Sequence, residues 1–439
     1  MSLLSIFGKI LERVVYDQLY CHVSSVICVE QHGFVPRRSC ATNLAMFLKT
    51  AWEAISGGYQ TDTIYTDYSA AFQSVNHTLI SHKLEHSYML RANALKWFVS
   101  YLTDRRQRVI VNGKTSAWKP VISGVPEGSI LAPLIFSLFI NDLPQTLDSE
   151  CLMYADDVKI FRKISTPSDG RLLQDDLERL SAWSVRWGLT LNPSKCKSFT
   201  ITLRRTPVQT GYYIGNSKLD HVEEIRDLGV ILDKKLTFAA HVDTTVKRGN
   251  RAMGLLIRSF QSGSKHGSHF NRTAVVAAYF SNVRSILEYS SVIWAGVAES
   301  HARRVDRVQH KFLLWLLTHT SSGHSDSLSY DSLLRHFKLP SLAQRRVQHD
   351  MLFLRNILRG RVDSQVLLTS FPLHVPPRST RTPTLFSVPR ARVRTVECGM
   401  FCRIAKTMNV FLANHSEVDI FHDSIDTFRA RVIRYILYK

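Results

Sequence analysis

The stretch Cys151-Leu-Met-Tyr154-Ala155-Asp156-Asp157-Val158-Lys-Ile-Phe161 constrains the fold more than any other part of the chain. Two apolar runs of strand length flank a tight turn that carries adjacent carboxylates, which predicts a hairpin buried in a sheet. Like charges at the tip of such a hairpin repel each other and lose hydration unless a cation neutralises them, and a divalent metal is the natural counterion. The chain contains its own control. Asp175-Asp176 repeats the dipeptide inside a helical pattern, where a solvated face is expected to suffice. Strand context, not the dipeptide, separates the two.

A second acid sits in a comparable place. Thr63-Ile-Tyr-Thr-Asp67-Tyr68 reads as a strand that ends in a carboxylate and is followed by Ser69-Ala-Ala-Phe72. Two strands ending side by side would bring Asp67 and Asp156 to one point, the arrangement that holds two hard cations for in-line phosphoryl transfer. Taken alone, Asp67 fits a strand-end turn former equally well.

Around these acids the pattern is α+β. Helices are expected at Ile6–Tyr20 and Thr42–Ile55, and again between Thr78 and Leu102. Val109-Ile-Val-Asn112-Gly113 has the Asn-Gly signature of a hairpin. A glycine-bracketed loop at Gly124–Gly128 opens an apolar helix, a further helix covers about Asp169–Trp187, and strands are expected near Phe199–Leu203 and Arg226–Leu232. From about Phe238 the chain is mainly helical, and residues 371–390 hold five of the 14 prolines, an extended connector. In the segment from Arg303 to Leu317, Val305, Val308, Phe312 and Leu316 recur at helical spacing beside a stripe of Arg304, Arg307 and Lys311. Trp294 and Trp315 are expected in the core.

With 439 residues, 45% hydrophobic and 21% charged, the chain has material for two to four packed units, and disorder is excluded as its main state. Its 56 Lys and Arg against 36 Asp and Glu leave +20, which points to a polyanionic partner. Seven cysteines without CxxC spacing disfavour a disulfide scaffold or zinc finger and fit a reducing compartment. The longest apolar run, Ile130 to Ile140, contains Pro133 and is too short to span a bilayer, while Lys9, Glu12 and Arg13 interrupt the first apolar stretch. The expectation is an intracellular protein without a membrane partner; no feature sets an oligomeric state.

The order of segments resembles the reverse transcriptase of non-LTR, LINE-type retrotransposons of the jockey-like group, over essentially the whole chain. Leu3-Leu-Ser-Ile-Phe-Gly-Lys9-Ile-Leu-Glu12-Arg13 and Gln31-His-Gly33-Phe34-Val-Pro36-Arg37-Arg38-Ser39 are similar to two finger segments of that family. Asp67 through Phe72 matches its first palm motif. Ser123-Gly124-Val125-Pro126-Glu127-Gly128-Ser129 through Ile140-Asn141-Asp142-Leu143-Pro144 matches the second, and Tyr154-Ala155-Asp156-Asp157 the third. Leu189-Thr-Leu-Asn192-Pro193-Ser-Lys195 and Leu228-Gly229-Val230 resemble the fourth and fifth.

The resemblance implies a right-hand polymerase fold: partial fingers at 1–60, a palm at 61–235, a helical thumb at 236–320 and a C-terminal helical region at 321–439. It implies Mg2+ as cofactor, or Mn2+ in its place, with an RNA template, a DNA primer or target and dNTPs as partners, and a nuclear location. Asp67 and Asp156 would ligate metal with Asp157 in support. Lys195, rather than Lys197 two positions on, would protonate departing pyrophosphate. Phe72 would exclude a ribose 2′-hydroxyl, Arg37 and Arg38 would contact triphosphate, Glu127 and Gly128 would line the nucleotide site, and Leu228-Gly229 would grip the primer. Lys247, Arg248, Arg251 and Arg258 would lie on the first thumb helix.

Two residues depart from the family pattern. Glu127 stands where the family usually has Gln, placing a negative charge near the incoming triphosphate, and Gln73 replaces the usual Asp. Nothing resembles the endonuclease that usually precedes the polymerase, and Met1 falls within a finger segment, so an N-terminally truncated polyprotein fragment is expected. The alternatives are an active polymerase and a catalytically impaired relic that still binds nucleic acid; a two-metal hydrolase is the weaker third.

Overall fold

The computed structural model describes residues 4–264, 271–320, 328–375 and 384–437, so part of the expected connector at 371–390 lies outside the described residues. The fold is α+β, in two compact units: Met1–Asn43 with Gly57–Glu223, and Leu44–Ser56 with Glu224–Lys439.

The first unit is built on a five-stranded sheet. Its strands are β1 (Gln60–Thr66), β2 (Glu150–Tyr154), β3 (Asp157–Ile164), β4 (Lys197–Ile201) and β5 (Asp220–Val222), in spatial order β5-β4-β1-β3-β2. All neighbours are antiparallel except β4 and β5. Ile64, Met153, Ile160, Phe199 and Ile201 are fully buried, as half-apolar strands covered by helices must be. The helix Pro167–Arg186 starts at a capping box between Thr166 and Asp169 with Pro at the first turn, and buries Leu173, Leu177, Leu180 and Trp183 along one stripe. The helix Ala132–Phe139, apolar except for Ser137, is buried at every position but Pro133.

Of two buried carboxylates, the sequence reading passed over Asp62 and placed Asp176 on a solvated face. Asp62, on the central strand, accepts hydrogen bonds from Gln60 Nε2 (3.0 Å), Thr200 Oγ1 (2.8 Å), Thr210 Oγ1 (2.6 Å) and Tyr212 Oη (2.7 Å). Burial and then the Asp62 charge push the Tyr212 phenol upward, so it stays a donor. Tyr212→Phe removes one of four charge-assisted donors and should cost about 1.5–3 kcal/mol in urea unfolding; an unchanged midpoint would show that the other three suffice.

Asp176 corrects the control pair. Asp175 is exposed, but Asp176 is wholly buried, accepting from the backbone N–H groups of Asp148 (3.0 Å) and Ser149 (2.8 Å) and from Arg179 Nη1 (2.8 Å). Its charge is met by protein donors at the loop that enters β2, so it needs no cation.

Two local expectations shift. The strand near Phe199–Leu203 begins at Lys197. The single strand expected at Arg226–Leu232 is a hairpin of Glu224–Asp227 and Val230–Asp233, because Leu228 (φ 43°) and Gly229 (φ 86°) are both left-handed and turn the chain between them. Lys195 lies in the turn before β4, and Lys197 opens that strand.

In the second unit, Val305, Val308, Phe312 and Leu316 of the helix Glu299–Thr320 are buried, as their spacing predicts. Asp350 on the helix Leu342–Leu358 receives Arg403 Nε (2.7 Å) and Nη2 (3.0 Å) from the helix Met400–Asn414, and Arg403 also donates to Val292 O (2.6 Å). Trp294 is fully buried, with its indole N–H on Tyr289 O. All seven cysteines are free, and among the described residues no helix is long and apolar enough to cross a membrane.

Candidate active site

Strand register brings the sequence-predicted acids to one end of the sheet. β1 and β3 pair from Gln60↔Ile164 to Thr66↔Val158, so Asp67 follows the last paired residue of β1 just as Asp157 precedes its partner in β3. The β2–β3 hairpin closes at Tyr154↔Asp157, leaving Ala155 and Asp156 as its two-residue turn. Ala155 has φ 57°, a left-handed conformation that costs a non-glycine residue about 1–2 kcal/mol and persists only where neighbours enforce it.

The neighbours are in the loop around Gly33. Gln31 Oε1 accepts from the backbone N–H groups of Ala155 (3.0 Å) and Gly33 (2.8 Å). His32 N donates to Met153 O (2.9 Å), Met153 N to Glu30 O (2.9 Å) and Asn43 Nδ2 to Met153 O (3.1 Å). A Cβ on Gly33 would stand 2.3 Å from Ala155 N, so only glycine permits this approach. Arg38 Nη1 donates to Cys28 O (2.6 Å) and Gln31 O (2.8 Å), closing the loop on itself, whereas Arg37 is exposed at φ 66°. Gln31 escaped the sequence reading; its only signal was its place beside Gly33.

Electrostatics tie the acids together. Burial raises the Asp156 carboxyl above its ordinary value, and the charges of Asp67 and Glu127 raise it further. Asp67 is anchored through its backbone, with its N–H on Cys196 Sγ (3.4 Å) and its carbonyl accepting from Asn192 N (2.8 Å). Its Oδ2 is shut off from solvent and has no hydrogen-bond partner; Lys195 Nζ stands 3.4 Å away, too far for a good hydrogen bond. Lys197 instead pairs with Asp220 at 2.6 Å. Of the two lysines, Lys195 faces the acids.

The glycine-bracketed loop forms the neighbouring wall. Gly124 (φ 88°) lies against Gln73, where a Cβ would come within 2.8 Å of its Cα and carbonyl oxygen, and Gly128 has φ 92°. Val125 N donates to Phe72 O (2.9 Å). Phe72 is half-buried, stacked on Phe136 with ring centroids 4.3 Å apart and set edge-on to Phe34. Gln73 and Glu127 are in contact: Gln73 Nε2 donates to Glu127 Oε1 at 3.0 Å. Leu228 and Gly229 belong to the second unit, where Tyr289 Oη donates to Leu228 O (3.0 Å) and its ring packs against Gly229.

Asp67 and Asp156 suit a hard divalent cation, for which carboxylate oxygens are the preferred donors, and the occluded Asp67 Oδ2 accepts no hydrogen bond and has only the loose Lys195 ion pair. Among the described residues no three His, Cys, Asp or Glu side chains form a complete cage. Mg2+ does not require one, since it is commonly held by one or two carboxylates plus water and phosphate oxygens.

Residues 1–232 match the model of the reverse transcriptase (RNA-dependent DNA polymerase) family. The chain is 28% identical over 325 residues to the RNA-directed DNA polymerase from mobile element jockey of Drosophila funebris, covering 71% of this chain and 34% of that protein. It is 28% identical over 323 residues to the probable RNA-directed DNA polymerase from transposon BS of Drosophila melanogaster, covering 71% and 35%. The chain thus spans about a third of the length of these relatives. Among solved structures it is similar to apo telomerase from Candida tropicalis, with 11% identity, a TM-score of 0.39 and coverage of 98% of this chain and 61% of that one. With a family model matched over more than half its length, this chain belongs to the reverse transcriptase (RNA-dependent DNA polymerase) family.

Proposed function

We propose that the chain is the polymerase part of a non-LTR retrotransposon protein, an RNA-directed DNA polymerase that joins dNTPs to a primer 3′-hydroxyl on an RNA template and works in the nucleus. The observation that carries this reading is the register that sets Asp67 beside the Asp156-Asp157 turn. Asp67 and Asp156 would hold the divalent cations, Mg2+ or Mn2+, with Asp157 in support. Bound there, such ions lower the pKa of an attacking hydroxyl and neutralise leaving pyrophosphate.

The chain's own residues would do the rest. Lys195, exposed and only loosely paired with Asp67, is free to swing its ammonium to a pyrophosphate oxygen and give up a proton from Nζ. Phe72, held by Phe136, would fill the space a ribose 2′-hydroxyl needs. Arg37 would reach triphosphate oxygens, while Arg38, spent on loop carbonyls, would act by shaping the Gly33 loop. Glu127 and Gly128 would line the nucleotide site, and the Leu228-Gly229 turn would offer its backbone to the primer. Purified protein given primed RNA, dNTPs and Mg2+ should extend the primer, and Asp67→Asn should not; extension by both proteins, or by neither, would defeat the reading.

Glu127 supplies a graded test. Its carboxylate adds repulsion where triphosphate would arrive, and a Gln there keeps a hydrogen bond with Gln73 while losing the charge. Glu127→Gln should lower the dNTP KM by about 5–10-fold, near 1 kcal/mol, in steady-state extension. A higher KM would instead favour Glu127 as an adapted residue and remove the main argument for an impaired relic.

A further inference from the structure

The segment between the helix Ala92–Leu102 and Gly124 forms a ribbon that the site described above does not use. Arg106–Gln107 pairs with Lys119–Pro120, and Ile110–Val111 with Lys114–Thr115, around an Asn112-Gly113 turn with φ 49° and 78°. Val121 N closes its base on Arg105 O (2.8 Å). Every residue from 106 to 120 is exposed, and among the described residues these strands pair only with one another. Val109, Ile110, Val111 and Trp118 are 64, 59, 61 and 56% exposed. An isolated two-stranded hairpin is marginal in water, and one that shows consecutive aliphatic residues and a tryptophan to solvent has surface for a partner.

Charge selects that partner. Arg105, Arg106, Arg108, Lys114 and Lys119 fall within a stretch, 105–126, that contains no Asp or Glu. A second copy of the ribbon would bring the same charge and be repelled; a polyanion would be drawn in. The Arg108 guanidinium lies 4.7 Å from the centroid of the Trp118 ring, a cation beside a flat apolar face. That pairing suits phosphate and base together, and accessible base faces belong to an unpaired strand rather than a duplex.

We infer that the ribbon Arg105–Val121 is a second nucleic-acid contact, separate from the carboxylates, that holds single-stranded RNA or DNA through phosphate pairing with its cations and base stacking on Trp118. This rests on the polymerase reading only for the presence of such strands, and it is tested without metal, dNTPs or catalysis. In the full chain carrying Asp156→Asn, affinity for fluorescent 20-nucleotide RNA and DNA single strands, and for a blunt duplex, is measured by anisotropy from 50 to 300 mM KCl.

Replacing Arg106, Arg108, Lys114 and Lys119 together by Ala should reduce the salt slope for single strands by about 3, at roughly 0.7 per phosphate released. Trp118→Ala should weaken single-strand binding by about 5–100-fold and duplex binding by less than about 2-fold. All five positions are exposed, so thermal melts should match the parent. Retention of both RNA and DNA binding by the parent, or of one alone, fits the inference and names the strand. Unchanged slope and affinity in the variants, equal losses for single strand and duplex, or a change in oligomeric state that accounts for the losses would overturn it. Extension failing while ribbon-dependent binding persists would refute the polymerase reading alone.

Discussion

Asp156→Asn should lower primer extension by about 10³-fold or more while leaving primed-RNA binding in EDTA within about 2-fold of the parent, with the same salt dependence. The division of labour follows from placement. Asp156 is half-buried at a turn whose backbone is fixed by Gln31, and an amide of the same shape keeps that turn but forfeits an anionic ligand. The basic surfaces proposed above to meet phosphate carry none of these acids. The same substitution should not destabilise the metal-free protein. Burial, then Asp67 and Glu127, raise the Asp156 pKa, so the folded state holds its proton more tightly than the unfolded chain. This group's contribution to stability therefore falls as pH rises from the ordinary carboxyl range through the raised value, and the ionised form is a net cost above it. Asn removes that cost. Thermal melts in EDTA across pH 4–7 should show the variant at least as stable as the parent at the upper end. A lower melting temperature at pH 7, or loss of nucleic-acid binding together with activity, would contradict this account.

Gly33→Ala should be nearly as damaging, although Gly33 bears no chemistry. The added methyl would sit 2.3 Å from Ala155 N and 2.9 Å from Tyr154 C. Both are backbone atoms of the acid-bearing hairpin, so no side-chain rotation relieves the clash. Either the loop lifts away, breaking the Gln31 to Ala155 and His32 to Met153 hydrogen bonds, or the hairpin tip moves. Overpacking of this kind costs about 1–3 kcal/mol, and a displacement of about 1 Å at reacting groups about 10²-fold in rate. Gly58→Ala is the comparison: Gly58 is also a glycine of the first unit, at φ 77°, but a Cβ there meets nothing within 4 Å. It should cost about 1 kcal/mol of backbone strain and leave extension unchanged. If Gly33→Ala extends primers at the parental rate, the clamp does not position the acids. Equal loss in Gly58→Ala would point to general destabilisation instead.

Much of the fold was legible because its signals are local. Short apolar runs around a turn marked β2 and β3, a strand-like run ending at Asp67 marked β1, helical spacing marked the core face of Glu299–Thr320, and Asn112-Gly113 marked its turn, since side-chain direction and turn geometry depend on a few neighbouring residues. The same locality made the strand-end acids stand out against Asp175-Asp176. It also misled. Asp176 is on a helix, as its pattern said, yet it faces inward, because the loop before β2 brings two unpaired N–H groups to that side. Leu228-Gly229 looked like the middle of a strand because leucine there gives no sign that its backbone will turn left-handed.

By itself the sequence determined which residue types stand at which strand ends, and hence that adjacent carboxylates would meet at a turn. Only the tertiary structure decided what surrounds them. It chose Lys195 over Lys197 as the cation facing Asp67. It turned Gln31 into the clamp of the Ala155 turn, joined Gln73 to Glu127, and gave Asp62 four donors from three separated segments. Each of these depends on strand register and loop closure over long sequence separations, where a shift of one residue exchanges every inward side chain for its neighbour and no local pattern records the outcome.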